Sequence, residues 1–225
     1  MLTAGTRLVG LLGSPVGQSL SPRMHNAAFA ALGLDWAYVA LDVSPDSLAA
    51  AIKGLVATGF GGANVTAPHK LAAAQLVTTE LVSVNTLVFE GDHAYGHSTD
   101  AAILAGLVAE NPVVVGGGGS ARAFLGALPS ARNYSRRASW PPRVEGADLV
   151  VHATPVREEV LFRLGPGQTL IDLPYPESVT ASAAREAGAH VIDGLDVLVA
   201  QGAAAFELWT GLPAPLGVMR AAVRS

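Results

Sequence analysis

The chain has 225 residues, half of them hydrophobic but only 6% aromatic, and a formal net charge of −4. That length allows one large core or two modest ones, and an apolar bulk of Ala, Val and Leu suits helices packed closely on parallel strands. The chain contains no cysteine, which excludes a disulfide scaffold, a thiolate nucleophile and cysteine-ligated metal. No basic concentration suggests a nucleic-acid surface. The N-terminal residues lack a signal-peptide layout, and no apolar run approaches the ~18 residues of a bilayer span. The expectation is a cytoplasmic monomer or homodimer that binds neither nucleic acid nor membrane.

Strands and helices alternate from the start. Arg7–Gly13 reads as a buried strand ending in a Gly-Ser-Pro turn. Ser21-Pro22 supplies an N-cap and a first-turn proline for a helix to about Leu32, stopped by Gly33. Trp36–Val43 is a strand, and Ser44-Pro45-Asp46 opens a helix to about Thr58. Gly61–Val65 is a third strand, after which Pro68 opens another helix. Val84–Glu90 and Ala94–Ser98 form a hairpin around Gly91-Asp92, and Ala101–Glu110 is helical until Asn111-Pro112. Val113–Val115 then begins a new unit. It continues with a helix from Ser120, apolar strands at Ala147–Ala153 and Thr169–Leu173, a helix near Ser178–Ala187, a strand at His190–Ile192 and Ala-rich helices from Val197. This alternation implies parallel sheets. We expect an α/β fold of two domains. Residues 1–100 would form a substrate-binding domain, with helices 197–225 packing back on it. Residues 101–196 would form a Rossmann-like doubly wound sheet.

Val113–Ala121 carries Gly116-x-Gly118-x-x-Ala121 between a strand and a helix, the setting in which that motif binds a dinucleotide. The first glycine makes the tight turn, and the second admits a pyrophosphate to the helix N-terminus. About 20 residues on, where an NAD enzyme carries an acid, stands Ser135-Arg136-Arg137. Two guanidinium groups suit a 2′-phosphate, so NADP is the expected cofactor.

In the first half, polar residues gather at strand ends. Ser19 and Ser21 lie two apart at a helix N-terminus, which suits a carboxylate; Ser21 also reads as a simple cap. Asn64 and Thr66 point the same way at the end of a strand. Lys70 falls in the first turn of the next helix, where the dipole disfavours a cation; such a charge more often serves a site than stability, although an exposed lysine there costs little. Asn85-Thr86 and Thr99-Asp100 occupy the two ends of the hairpin, and Asp100 doubles as a possible N-cap. Together Lys70 and Asp100 make a proton-handling pair. His93 and His97 would be ~13 Å apart in a strand, too far to share a metal, and no metal is expected.

These pieces in this order resemble the shikimate dehydrogenase family over nearly the whole chain. Gly13-Ser14-Pro15 through Ser19-Leu20-Ser21-Pro22-Arg23-Met24-His25-Asn26 is similar to its first signature, and Asn64-Val65-Thr66-Ala67-Pro68-His69-Lys70 to its second. Val84-Asn85-Thr86 and Gly96-His97-Ser98-Thr99-Asp100 resemble the third and fourth. Gly116–Arg122, Ala147–Val156, Asp172–Tyr175 and Gln201–Gly211 complete the register. The resemblance implies reversible NADPH-dependent reduction of 3-dehydroshikimate to shikimate, with nicotinamide in a cleft between domains. It assigns Ser19, Ser21 and Tyr175 to the substrate carboxylate. Asn64, Thr66, Asn85, Asp100 and Gln201 would bind hydroxyls, and Lys70 and Asp100 would be the catalytic pair. Gly116, Gly118, Gly119, Ser120, Ala121, Ser135, Arg136, Arg137, Thr154, Leu173 and Gly194 would line the cofactor site. Two other readings are a quinate/shikimate dehydrogenase using NAD, and a non-catalytic binder of shikimate-type ligands.

The chain also departs from the family pattern. The stretch from Lys70 to Asn85 is compressed, Ser98-Thr99-Asp100 replaces Asn-Thr-Asp, and Ser135 and Arg137 replace the outer residues of an Asn-Arg-Thr signature. Arg157 stands where a Gly usually follows Thr-Pro-Val. Arg137–Gly146 is too short for a strand, a helix and a return. One peripheral strand and its helix are therefore expected to be missing, leaving the adenine side of the pocket more open.

Overall fold

The computed structural model describes residues 2–225, which form two five-stranded sheets. Clustering of contacts divides the chain into one unit up to Thr99 together with Val199–Ser225, and another of Asp100–Leu198.

In the first unit, β1 (Arg7–Gly13) is flanked in parallel by β2 (Trp36–Asp42) and β3 (Gly62–Val65). β4 (Thr86–Glu90) runs antiparallel to β3, and β5 (His93–His97) antiparallel to β4, giving the order β2-β1-β3-β4-β5. The hairpin makes this sheet mixed rather than parallel throughout. Register decides where the polar residues go. Asn64 pairs with Thr86 and Thr86 with His97, so the end of β3, the start of β4 and the end of β5 share one edge. The carboxyl end of β1 lies at that edge too, because β1 and β3 are parallel.

Two cores flank the sheet. Leu12, Leu48, Ile52, Leu55, Val65 and Leu87 form one, under α2 (Leu48–Ala57). The other is aromatic: Phe29 of α1 (Ser21–Ala31) stacks on Phe206 at 5.4 Å, and Trp209 lies 6.1 Å from Tyr38. Trp209 Nε1 also donates to the Leu87 carbonyl at 2.9 Å, tying helix to sheet. A side chain at Gly62 would collide with that indole and with the same carbonyl, so glycine is required by close approach.

The second sheet is parallel throughout, in the order β10-β9-β8-β6-β7: β6 (Val113–Val115), β7 (Arg132–Tyr134), β8 (Leu149–His152), β9 (Thr169–Asp172) and β10 (His190–Ile192). Its strands read as continuous apolar runs because both faces are covered. Phe124 of α4 (Gly119–Ala127) packs with Val114, Val151 and Ile171 on one face. Ala181 and Ala184 of α5 (Val179–Glu186) pack with Val113, Val150 and Leu170 on the other. β7 is the edge strand, and residues 135–148 contain neither strand nor helix. The result is a doubly wound sheet whose outer edge ends at β7.

Three expectations need correction. Ser21 does not cap α1: it is the first helical residue, and Ser19 Oγ instead accepts the Ser21 N–H at 3.2 Å. The helix expected at 101–110 is a single 3-10 turn, Ala102–Leu104, so Asp100 is no helix cap. Ala101, Ile103, Leu104 and Ala109 pack on the Val114–Phe124 core as a loop, whose end is held by the Asp148 carboxylate through the Glu110 and Asn111 N–H groups. Finally, α3 (Lys70–Ala74) starts at Lys70 rather than Pro68 and lasts five residues. Beyond it the backbone bonds to β5, Thr78 N–H to the Ala94 carbonyl and Gly96 N–H to the Thr78 carbonyl, which ends the helix.

Candidate functional site

The carboxyl edge of the first sheet carries a connected set of amides and hydroxyls. The Tyr38 hydroxyl donates to Asn64 Oδ1 at 2.8 Å, and Asn64 Nδ2 donates to Thr86 Oγ1 at 3.0 Å and to the Asn85 carbonyl at 3.1 Å. Asn85 Oδ1 accepts the Thr99 N–H at 2.7 Å, while its Nδ2 donates to Thr99 Oγ1 at 2.9 Å and to Gln201 Oε1 at 3.2 Å. Gln201 belongs to α6 (Gly194–Thr210). Asn64, Asn85, Thr86 and Thr99 are all buried, so these bonds are what make their burial tolerable. The structure thus brings Asn64, Asn85 and Gln201 together. It adds Tyr38, Thr86 and Thr99, which sequence reasoning left out of the site.

Lys70 is tied to this edge through its backbone, whose carbonyl accepts the Val84 N–H next to Asn85. The preceding turn is fixed by His69, buried, whose Nε2–H donates to the Val43 carbonyl at 2.7 Å. Thr66, half-buried, leaves the end of β3, and its carbonyl accepts the His69 N–H. Asp100 directly follows Thr99 and is buried. Ser19 and Ser21 leave the loop after β1, where the bond between them occupies an acceptor of the Ser19 hydroxyl and leaves its proton to donate. A larger pocket of about 670 Å³, between α2 and the β4–β5 turn, holds none of these residues.

The second sheet has its own carboxyl edge. β6 turns to one side through β7 and is neighboured on the other by β8, so its end is a topological switch point, where open α/β sheets bind ligands. Gly116 has φ +149, and a Cβ there would lie 2.5 Å from the Ala153 carbonyl, so only glycine serves. At Gly118, which caps α4, an added Cβ would meet nothing within 4 Å, and no side chain caps the helix. That open cradle at a helix N-terminus fits a pyrophosphate. Gly119, Ser120 and Ala121 form the first turn above it. Asn133, missed in the sequence, donates to the Val114 and Gly116 carbonyls at 3.0 and 2.9 Å and pins the loop. Ser135 lies beside Gly117.

Arg136 and Arg137 are exposed, but Arg136 is engaged: it pairs with Glu159 and lies 5.4 Å over the Trp140 ring. The three residues line, with Val160 and Leu161, a pocket of about 420 Å³. Thr154 and Leu173 follow β8 and β9, where Thr154 Oγ1 is bonded to His152 Nε2 at 2.7 Å. Tyr175 is half-buried beyond Leu173. Gly194 is the first residue of α6, and a Cβ there would lie 2.3 Å from the Pro174 carbonyl, so packing alone requires that glycine. Among the described residues no group of three His, Asp or Glu gathers to hold a metal, and no helix is long and apolar enough to cross a membrane.

A glycine loop at the switch point of a parallel sheet, with a second α/β unit bearing a buried hydroxyl-and-amide edge, defines a two-domain protein of the dinucleotide-linked class. The comparisons with known proteins make this specific. The family model for the shikimate dehydrogenase substrate binding domain matches residues 11–86, and that for the shikimate 5'-dehydrogenase C-terminal domain matches 194–224. The shikimate dehydrogenase (NADP(+)) of Moorella thermoacetica is 41% identical over 278 residues, covering 98% of this chain and 94% of that protein. Since 278 exceeds the 225 residues of the chain, part of the shortening falls inside the alignment. The Aquifex aeolicus shikimate dehydrogenase structure superposes with a TM-score of 0.90 at 30% identity, covering 100% of both chains. The Thermus thermophilus shikimate 5-dehydrogenase, in complex with NADP(H) and shikimate, superposes at 0.86 with 30% identity, covering 97% of this chain and 98% of that one. The chain belongs to the shikimate dehydrogenase family.

Proposed function

We propose that this protein interconverts 3-dehydroshikimate and shikimate with NADPH and NADP. The observation that carries the reading is the buried Asn64–Asn85–Thr86–Thr99 network, joined by the half-buried Gln201, at the edge that also bears Lys70. Uncharged amides and hydroxyls held in fixed directions read the hydroxyls of a small polyol ring, because each mispaired group would be left buried and unsatisfied. The 41% identical NADP(+) enzyme and the NADP(H) and shikimate complex of the Thermus relative support the same choice of ligands.

In this account the Ser19 and Ser21 hydroxyls and Tyr175 bind the carboxylate, and Asn64, Thr66, Asn85, Asp100 and Gln201 meet the ring hydroxyls. The Gln201–Asn85 bond is part-buried, unlike those from Asn85 to Thr99, and a substrate hydroxyl would exchange for it first. The Lys70 ammonium gives a proton to the carbonyl oxygen as it becomes a hydroxyl and takes one back in the reverse direction, oriented by Asp100. When bound, NADPH supplies the hydride. Gly116, Gly118, Gly119, Ser120 and Ala121 hold its pyrophosphate, and Ser135, Arg136 and Arg137 its 2′-phosphate; Thr154, Leu173 and Gly194 shape the rest of the site. The reducing cytoplasm is the setting we propose, for a monomer or homodimer.

Absorbance at 340 nm tests this reading: shikimate with NADP should produce NADPH, and much less signal should come from NAD. Equal rates with NAD, and quinate turned over as well, would favour the quinate/shikimate alternative. No reaction with either cofactor would refute the proposal.

A further inference from the structure

His152 ends β8, a central strand buried along its whole length, where an imidazole is a costly choice unless both ring nitrogens are bonded. Both are. Nδ1 lies 2.6 Å from Asp172 Oδ1, with both side chains fully buried, and Nε2 lies 2.7 Å from Thr154 Oγ1. Asp172, the last residue of β9, stands opposite His152 in register. Its carboxylate also accepts the Ser178 hydroxyl at 2.9 Å and the Ser178 N–H at 3.1 Å, and Ser178 Oγ in turn accepts the Ala181 N–H, capping α5. At the other end, Thr154 Oγ1 accepts the Val156 N–H at 3.2 Å. A line of side chains therefore runs from the first turn of α5 across two strands into the turn after β8. A backbone bond from the Val179 N–H to the Arg157 carbonyl closes the far side of that turn.

The turn borders the glycine loop: Ala153 N–H donates to the Val115 carbonyl at 2.8 Å, and the Ala153 carbonyl fills the space where a Gly116 side chain would be. We propose that His152 is a positioning residue for the dinucleotide, acting through Thr154 to hold the 153–157 turn against the glycine loop. The proposal rests on the cofactor reading above and deepens it. His152 and Asp172 are fully enclosed and cannot touch a ligand, so the role is to fix the shape of the site. With Nδ1 bonded to Asp172 and Nε2 to Thr154, both ring nitrogens and the Thr154 hydroxyl are engaged within the protein. Thr154 then faces inward, and the turn offers the cofactor its backbone and outline rather than that hydroxyl.

The test is a set of calorimetric titrations with NADP, NAD and shikimate on His152→Asn, Thr154→Val, the double variant and Thr154→Ser. An asparagine retains a donor for Asp172 but does not reach Thr154. His152→Asn and Thr154→Val should each weaken NADP and NAD alike, by about 10-fold, the loss of one hydrogen bond, with shikimate affinity unchanged. The double variant should be no weaker than either single one, and Thr154→Ser, which restores the hydroxyl, should bind as the parent chain does. In steady state the KM for NADP should rise while kcat holds. Folded variants with undiminished dinucleotide affinity, losses that multiply in the double variant, or Thr154→Ser as weak as Thr154→Val would each overturn the proposal. A parent chain that binds no dinucleotide would refute the functional reading itself, a distinct outcome that removes the role with it.

Discussion

At the carboxyl edge of the first sheet the polar groups are neutral, buried and bonded to one another, as Asn64, Asn85, Thr86 and Thr99 are. At the corresponding edge of the second sheet the exposed groups are bare glycine and charge: Gly118 faces open space, and the Arg136 and Glu159 side chains are 62% and 56% exposed. The rigid parts there lie one layer deeper, in Asn133 and the His152–Asp172 pair. The difference teaches which edge tolerates change. A closed network of amides loses much when one member goes, because its partners stay buried. An exposed ion pair is worth about 0–1 kcal/mol and adjusts binding gently.

Lys70→Ala should lower kcat by about 100-fold or more with the fold intact, the scale of general acid–base catalysis; wild-type turnover in a steady-state assay would remove Lys70 from the chemistry. Asn85→Leu strands the buried Thr99 N–H, and should cost about 2–3 kcal/mol in urea unfolding and weaken shikimate at least ~10-fold.

His25 is fully buried beside Tyr38, ring centroids 4.6 Å apart, with neither ring nitrogen bonded. Burial holds its pKa down to about 3 from the ordinary 6.5. Between these values the unfolded chain binds a proton that the folded chain refuses. The stability contributed by this group is therefore full above pH 6.5 and falls by about 1.4 kcal/mol per pH unit below it. His25→Leu should flatten the slope of unfolding free energy against pH between 6 and 4 (roughly the span of that window); identical slopes would mean the ring is protonated in place. The smallest effect belongs to the second edge. Glu159→Gln, which frees Arg136, should tighten NADP by about 3-fold and leave NAD unchanged, whereas Arg136→Ala should weaken NADP far more than NAD. Equal effects on both cofactors would mean no 2′-phosphate is read there.

Backbone requirements were the most legible part of the sequence. Gly116 must be glycine because of its φ and the Ala153 carbonyl, and that necessity is written directly into the motif. The hairpin turn at Gly91 was readable for the same reason, its φ being +60. What stayed hidden depends on partners distant in the chain. Ala101–Glu110 has helical composition, yet contacts with the Val114–Phe124 core and the Asp148 carboxylate hold it as a loop, tertiary packing overriding propensity. His152 sits in an apolar strand, and nothing local announces an aspartate 20 residues on. Glu159 lies 23 residues from Arg136, so the occupied guanidinium could not be foreseen.

The central claim is that the chain carries two separate ligand edges, one for a hydroxylated ring and one for a dinucleotide. Calorimetric titration of the unmodified protein with shikimate alone and with NADP alone tests it most directly. Each should bind by itself, in a one-to-one ratio. Shikimate binding without any NADP binding would contradict the account and leave a protein that holds the ring but does no redox chemistry.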